Sequence, residues 1–533
     1  MLPRLTPYEY ATAIPRAAAL ALVLALALAG CNGHDDTAGS PTPPPHLGGA
    51  APTSLPVTIS NQSSRTAYVL ITGDPSQTFT VSPATTATIL AGGSTVFNVT
   101  NISAGRIYVS YDVALSSSAP DGANPGDADY HTRFDKVELT YNQGLGGSAN
   151  LTAVDFYAIP MVLQTSIQGT VINQLTLAPG QTGNGVQAAL TGAVASGQSA
   201  PVVNTKAGSF ARILSPVKAP TAYGKFDGYI GTLGPANTTF TIAGTFFGTT
   251  SKAYSYTGAV GTNNITLTSA DSLHVMKIPL ASLEYNATDL VNDNGIYTCN
   301  APYTVDGTAH HVADNDIYAA VYRDLVAGFN LGFVQPGTNT SSTWWTSPAF
   351  PVNSYSGTTY NAYAQAVATT YPGAYGFPFS DRYQQVLADL GGMVDGMTVT
   401  LLGDSANPPA NPTQGTVNPQ TSVAGAPTIN VVLVTTDDNF NLSTFNLDLQ
   451  TFQGGTVNYF PPTTQAPTVT TSSTAQVNGL PSQNGINIYT LQLRGRQYSI
   501  LANVSNGTVV WASIAGGGSA TWSAPNLFVG GLD

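Results

Sequence analysis

Between Phe134 and Pro160 the chain reads FDKVELTYN, then a Gly-, Ser- and Asn-rich stretch, then LTAVDFYAIP. In the first segment Val137, Leu139 and Tyr141 fall on one face of a strand, and Lys136, Glu138, Thr140 and Asn142 on the other. The second, Leu151 to Ile159, carries Asp155 among Val154, Phe156 and Tyr157, and the link Gln143 to Asn150 has the composition of a hairpin loop. The pattern predicts a two-stranded ribbon with one core face and one polar face, and with a carboxylate near the middle of each strand.

Symmetric closure of that loop sets Glu138 directly across from Asp155. Opposed Cβ atoms lie about 4.5–5.5 Å apart and diagonal ones about 7–8 Å apart. Two carboxyl groups at such range are the equipment of glycoside hydrolysis, although a strand can also carry acids simply as a solvated face. Two features favour chemistry here. Only 8% of the chain is charged, and both acids sit among apolar and aromatic residues, where desolvation raises a carboxyl pKa toward a useful value for an acid.

Six segments, in order and with matching spacing, resemble glycoside hydrolase family 64, bacterial endo-β-1,3-glucanases of thaumatin-like fold. They are GRIYVSY (Gly105 to Tyr111), FDKVELTYN, LTAVDFYAIP, RILSPVKAP (Arg212 to Pro220) with FDGYI (Phe226 to Ile230), IYTCNAPY (Ile296 to Tyr303) and AYGFPFSD (Ala374 to Asp381). The resemblance covers residues 55 to 405 and implies Glu138 as general acid and Asp155 as general base. It also implies Thr140, Asn142 and Thr152 as polar groups lining a sugar groove, an inverting mechanism, and short laminari-oligosaccharide products, notably the pentamer. Inversion needs carboxyl groups roughly 6.5–9.5 Å apart, so a squarely opposed pair requires diverging rotamers, a bulge or a register offset. Thr152 and Asp155 differ in strand parity and cannot share a face without such a break. Lys136 shares the face of Glu138 and is expected at the strand end, reaching water. The ribbon loop carries no aromatic residue, where the resemblance would place one.

The fold expected is mainly β with a mixed α/β part. A thaumatin-like β-sandwich or barrel (55–166) and an α/β region (167–405) would form a wide groove, followed by a linker (406–427) and a C-terminal β-rich module (428–533) of unread role. Helices are expected over Asn315 to Leu331, where Ile317, Val321, Leu325 and Phe329 recur every four residues behind an Asp314 or Asn315 cap, and over Tyr360 to Thr370. Tyr375, Phe377 and Phe379, and Trp344 and Trp345, are candidate sugar platforms or core. Tyr375 and Asp381 are taken as substrate-binding candidates. Trp511 and Trp522 read as core of the C-terminal module in preference to a carbohydrate-binding face.

The first thirty residues read as a secretory signal: Arg4 and Arg16 precede the apolar run Ala17 to Ala29, too short for a comfortable membrane span. The run ends in Leu28-Ala29-Gly30-Cys31, which resembles a bacterial lipobox and implies lipidation at Cys31, followed by a Pro-rich tether to residue 54. Asn32, not Asp, follows the cysteine, which favours an outer-membrane or cell-surface address. Contact with the membrane is expected through the anchor alone.

A formal charge of -12 with no basic stripe argues against nucleic acid. With Cys31 lipidated, Cys299 has no disulfide partner, and the six scattered histidines give no metal-binding pattern. No cofactor and no metal are expected, and a monomer acting on β-1,3-glucan is. The competing reading is a non-catalytic surface lipoprotein that binds the same glucan.

Overall fold

The structure, a computed structural model, describes residues 53–409 apart from positions 75, 78, 144–145, 168, 225, 248–250, 285–294, 315, 341–358, 381–385 and 391–393, together with strand backbone between 428 and 522. Cys31, the tether through residue 52, the linker from residue 410, Trp344, Trp345 and Asp381 lie outside the described residues, as do the side chains of Trp511 and Trp522.

The first region is built from β1 (Leu55–Asn61), β2 (Ala67–Thr72), β3 (Thr80–Ser82), β4 (Thr86–Ile89), β5 (Ser94–Tyr111), β6 (Phe134–Asn142), β7 (Gly146–Thr152), β8 (Phe156–Tyr157), β9 (Met161–Ile167) and β10 (Thr170–Leu175). In β1 and β2 every second residue is buried, as a strand with one face on the core requires. β5 is one long strand with a register break against β6 between Ile102 and Gly105. A bulge lets a strand bend without ending.

Two short strands, β11 (Val202–Asn204) and β12 (Phe210–Leu214), form a small sheet with β8, β12 lying between β11 and β8. A seven-stranded sheet follows, from β13 (Thr239–Phe247), β14 (Ser251–Val260), β15 (Asn264–Ser269), β16 (Val275–Pro279), β17 (Tyr303–Val305), β18 (Thr308–His310) and β19 (Thr338–Thr340). The chain then returns to the first region through β20 (Ala374–Tyr375), β21 (Leu387–Asp389) and β22 (Gly396–Leu401). This completes a twelve-stranded sheet whose main path is β10-β9-β22-β1-β5-β6-β7-β20. One hydrophobic core runs from Leu55 to Leu402 and takes side chains from both regions.

The two expected helices form at Ile317–Asn330 and Ala362–Thr370. The cap of the first is Asp316, whose Oδ1 accepts from the Ala319 N–H at 2.8 Å, and not Asp314 or Asn315. Ile317, Val321, Leu325 and Phe329 lie on its packed side, Ile317 half-buried. Beyond residue 427 the described strands form a five-stranded and a four-stranded sheet, the latter including the antiparallel pair Gly485–Leu493 and Arg496–Ser505.

Candidate active site

The ribbon exists, but its register differs from a symmetric closure about Gln143 to Asn150. β7 begins at Gly146, inside the segment expected as loop, and Glu138 pairs with Asn150, not Asp155. The cause is Gly147. A Cβ there would lie 1.9 Å from the Thr140 carbonyl oxygen, so only glycine lets the strands approach in this register. Glycines that look like loop residues in sequence are strand residues in the fold.

β7 stops at Thr152, so Asp155 is not on a strand opposite β6 at all. It lies on the bend before Phe156–Tyr157, which leaves for a different sheet. The face assignments change accordingly. Thr152 follows Asn150 by two and so shares the face of Glu138, while the bend frees Asp155 from strand parity. Both acids reach one side of the sheet without a bulge in the ribbon.

On that side Arg106 of β5 stands across from Glu138, and Tyr108 across from Lys136. The opposite face of β6 is core: Val137, Leu139 and Tyr141 are buried. Lys136 does not reach water. It is 9% exposed, and its Nζ lies 2.5 Å from Asp155 Oδ2 and 4.0 Å from Glu138 Oε1. Those two carboxylate oxygens are therefore no more than 6.5 Å apart, the sum of 2.5 and 4.0 Å. Arg106 reaches Glu138 Oε1 at 4.0 Å from the other side, and Lys218 reaches Asp155 Oδ1 at 3.4 Å.

Burial works against the ionised form of Asp155, but the ammonium groups of Lys136 and Lys218 outweigh it and hold the carboxyl well below the usual range. Burial likewise opposes the charge on Lys136, and Asp155 and Glu138 overcome it, so the lysine stays protonated.

The bend itself is anchored. Asp135, buried beneath the site, accepts from the N–H groups of Ala158 and Ile159 at 2.9 and 3.0 Å and from Lys136 N–H at 2.9 Å. Burial pushes its carboxyl up to about 6 against those three donors. Ser215 donates its N–H to the Asp155 carbonyl at 3.0 Å and its hydroxyl to the Val154 carbonyl. Tyr363 donates to the Ala153 carbonyl at 2.8 Å.

Of the other expected site residues, Thr140 and Asn142 are half-buried on the face of Glu138. Thr152 is 7% exposed, and its Oγ1 accepts from Val154 N–H at 3.3 Å. Tyr375 departs from the platform expectation. It is 4% exposed, packs with Val154 and Val386, and supports the bend where a platform would present a ring face. Phe377 and Phe379 are buried as well.

Four residues of the site were not singled out in sequence: Arg106, Tyr108, Lys218 and Asn150. Asn150 is buried opposite Glu138, and its Oδ1 has no hydrogen-bond partner among the described residues. Arg106 and Tyr108 follow from strand parity once β5 is known to pair with β6; Lys218 falls in the segment RILSPVKAP, but nothing in that segment directs it to Asp155.

Away from this face, His310, Asp314 and Asp316 bring ligand-type atoms within 4.8 Å of one another. Their contacts belong to the helix start: Asp316 caps it, Asp314 accepts from His311 N–H at 2.6 Å, and His310 Nδ1 lies 3.0 Å from Asp316.

Residues 48–402 match the sequence model of glycoside hydrolase family 64, described as beta-1,3-glucanase. No curated protein sequence matches. Among solved structures the chain is similar to a laminaripentaose-producing beta-1,3-glucanase in complex with laminaritetraose, at 23% identity, covering 66% of this chain and 99% of that one with a TM-score of 0.48. It is also similar to a beta-1,3-glucanase domain from Clostridium beijerinckii, at 17% identity, covering 68% of this chain and 100% of that one with a TM-score of 0.45. A third is the laminaripentaose-producing enzyme from Paenibacillus barengoltzii, at 16% identity, 68% of this chain and 78% of that one, with a TM-score of 0.39. The sequence match spans well over half of the chain, and the protein belongs to glycoside hydrolase family 64, the endo-β-1,3-glucanases.

Proposed function

We propose that this chain cleaves β-1,3-glucan by a single inverting displacement, with Glu138 protonating the leaving glycosidic oxygen and Asp155 taking a proton from the attacking water. The observation that carries the reading is the meeting of both carboxylates at one ammonium group on one sheet face. Their surroundings divide the roles. An aspartate gripped by two lysines stays ionised and suits a base, which leaves Glu138 as the proton donor. The two oxygens that meet at Lys136 are at most 6.5 Å apart, at or inside the lower edge of the inverting span of roughly 6.5–9.5 Å, so inversion by this pair requires the carboxylates to part as water and sugar enter.

Thr140, Asn142 and Thr152, on the face of Glu138, are proposed to bind sugar hydroxyls beside the cleaved bond. Short laminari-oligosaccharides are the proposed products. We further propose that Cys31 carries a lipid anchor, that the tether to residue 54 holds a monomeric enzyme off the outer membrane or cell surface, and that Asp381 reaches the glucan. Metabolic labelling with a palmitate analogue should mark the wild type and not Cys31→Ser.

The test of the catalytic reading is oligosaccharide release from linear β-1,3-glucan. Glu138→Gln and Asp155→Asn should each lower kcat by about 10²–10⁴ while binding to insoluble glucan persists. Full activity in either variant would remove that residue from the mechanism. Binding without any hydrolysis by the wild type would make the site a receptor.

A further inference from the structure

Asp155 is an unusual place for a base, because no strand ladder fixes it. Its backbone is held by Ser215 and, two residues back, by Tyr363, whereas among the described residues its carboxylate is held by side chains alone. Lys136 grips Oδ2 at 2.5 Å from the strand floor, and Lys218 stands at 3.4 Å from Oδ1 on the loop side. The two grips differ in kind. The Lys136 side chain is 11% exposed and locked between two acids, whereas that of Lys218 is 32% exposed. A contact at 2.5 Å occupies its oxygen; one at 3.4 Å to a half-exposed lysine leaves room.

Resting on the reading of Glu138 and Asp155 as the catalytic pair, we propose that Lys136 is the positioning residue for hydrolysis: it pins Oδ2 of Asp155 and so makes Oδ1 the oxygen that receives the proton of water. Lys218 is the outer contact, past which water reaches Oδ1. In the step, an O–H bond of water breaks and its proton goes to Oδ1. The water oxygen bonds to the anomeric carbon, the glycosidic C–O bond breaks, and its electron pair stays on the leaving oxygen, which takes the proton of Glu138. No other reactant is required.

Among the described residues, the charged and titratable groups that act on Asp155 or its two lysines are Lys136 and Glu138 from β6, Arg106 and Tyr108 from β5, Lys218 from its loop, Tyr363 from the helix Ala362–Thr370, and Asp121, whose charge favours the protonated Lys218. Lys136 is the cation in closest contact with Asp155, so its removal should be felt by the base first.

The experiment measures kcat, KM and the pH profile on soluble β-1,3-glucan for Lys136→Met, Lys136→Arg and Asp155→Asn. Lys136→Met should lower kcat about 10²-fold, the scale of a misplacement near 1 Å, with KM little changed. It should also move the acid limb of kcat/KM upward by about one pH unit or more, since an Asp without its cation ionises at higher pH. Lys136→Arg keeps the charge and hence the limb, but a guanidinium binds both carboxylate oxygens and occupies Oδ1, so kcat should still fall about tenfold. Wild-type kcat in Lys136→Arg, or an unmoved limb and kcat in Lys136→Met, overturns the proposal while Asp155→Asn remains inactive. An active Asp155→Asn instead overturns the pair on which it rests. Should Lys136→Met fail to fold, as judged by circular dichroism, the arginine variant decides alone.

Discussion

Glu138 is fixed at the centre of β6, with β5 on one side and β7 on the other, so its direction follows from backbone register. Asp155 stands on a bend between two sheets, and its carboxylate is aimed by Lys136 and Lys218, with Ser215 and Asp135 holding the chain beneath. The first carboxylate is positioned by main chain, the second by a small network of charged and hydroxyl groups. A site built this way has one rigid wall and one adjustable wall, and the two should respond differently to change.

The largest difference is expected from altering side-chain length. Glu138→Asp withdraws the acid by one methylene from a backbone that cannot follow, and kcat should fall about 10²–10³-fold. Asp155→Glu adds a methylene on a bend that can adjust, and the loss should be nearer tenfold. Equal losses, measured as initial rates on linear β-1,3-glucan, would break the comparison.

Next comes the register itself. Gly147→Val would drive a side chain into the Thr140 carbonyl, part β6 from β7 and lower unfolding stability by roughly 3 kcal/mol in urea titration. An unchanged midpoint would mean that glycine does not set the register. Asp135→Ala leaves three buried N–H groups without their acceptor and should lower stability by about 2 kcal/mol. Because two of the three belong to the segment just after Asp155, activity should fall with it. The smallest effect is expected from Ser215→Ala, about 1 kcal/mol, with a modest drop in kcat and none in glucan binding.

The same contrast explains what was legible in the sequence. β1, β2 and β6 announce themselves by alternation, and the helix Ile317–Asn330 by its spacing of four, because these patterns depend only on local geometry. Glu138 could be placed on the polar face of its strand for that reason. The place of Asp155 could not be read, since it depends on where β7 stops and on Lys218, which lies more than sixty residues further along. The glycine pair at 146–147 misled because glycine serves both loops and close strand approach, and composition does not separate the two. Lys136 misled for a similar reason. A lysine near a strand end usually reaches water, and the meeting with Asp155 and Glu138 is what makes its burial tolerable. Tyr375 could stack on sugar or fill space, and the packing of Val154 and Val386 against it decides for space.

The account stands most directly on the stereochemistry of cleavage by the wild-type enzyme, followed by proton NMR in the first minutes on a β-1,3-linked oligosaccharide. A base at Asp155 that activates water, with Glu138 as acid, predicts that the newly formed reducing end appears first as the α-anomer and only later equilibrates. A β-anomer appearing first would mean that one carboxylate attacks the sugar itself, and the division of roles between the strand and the bend would be wrong.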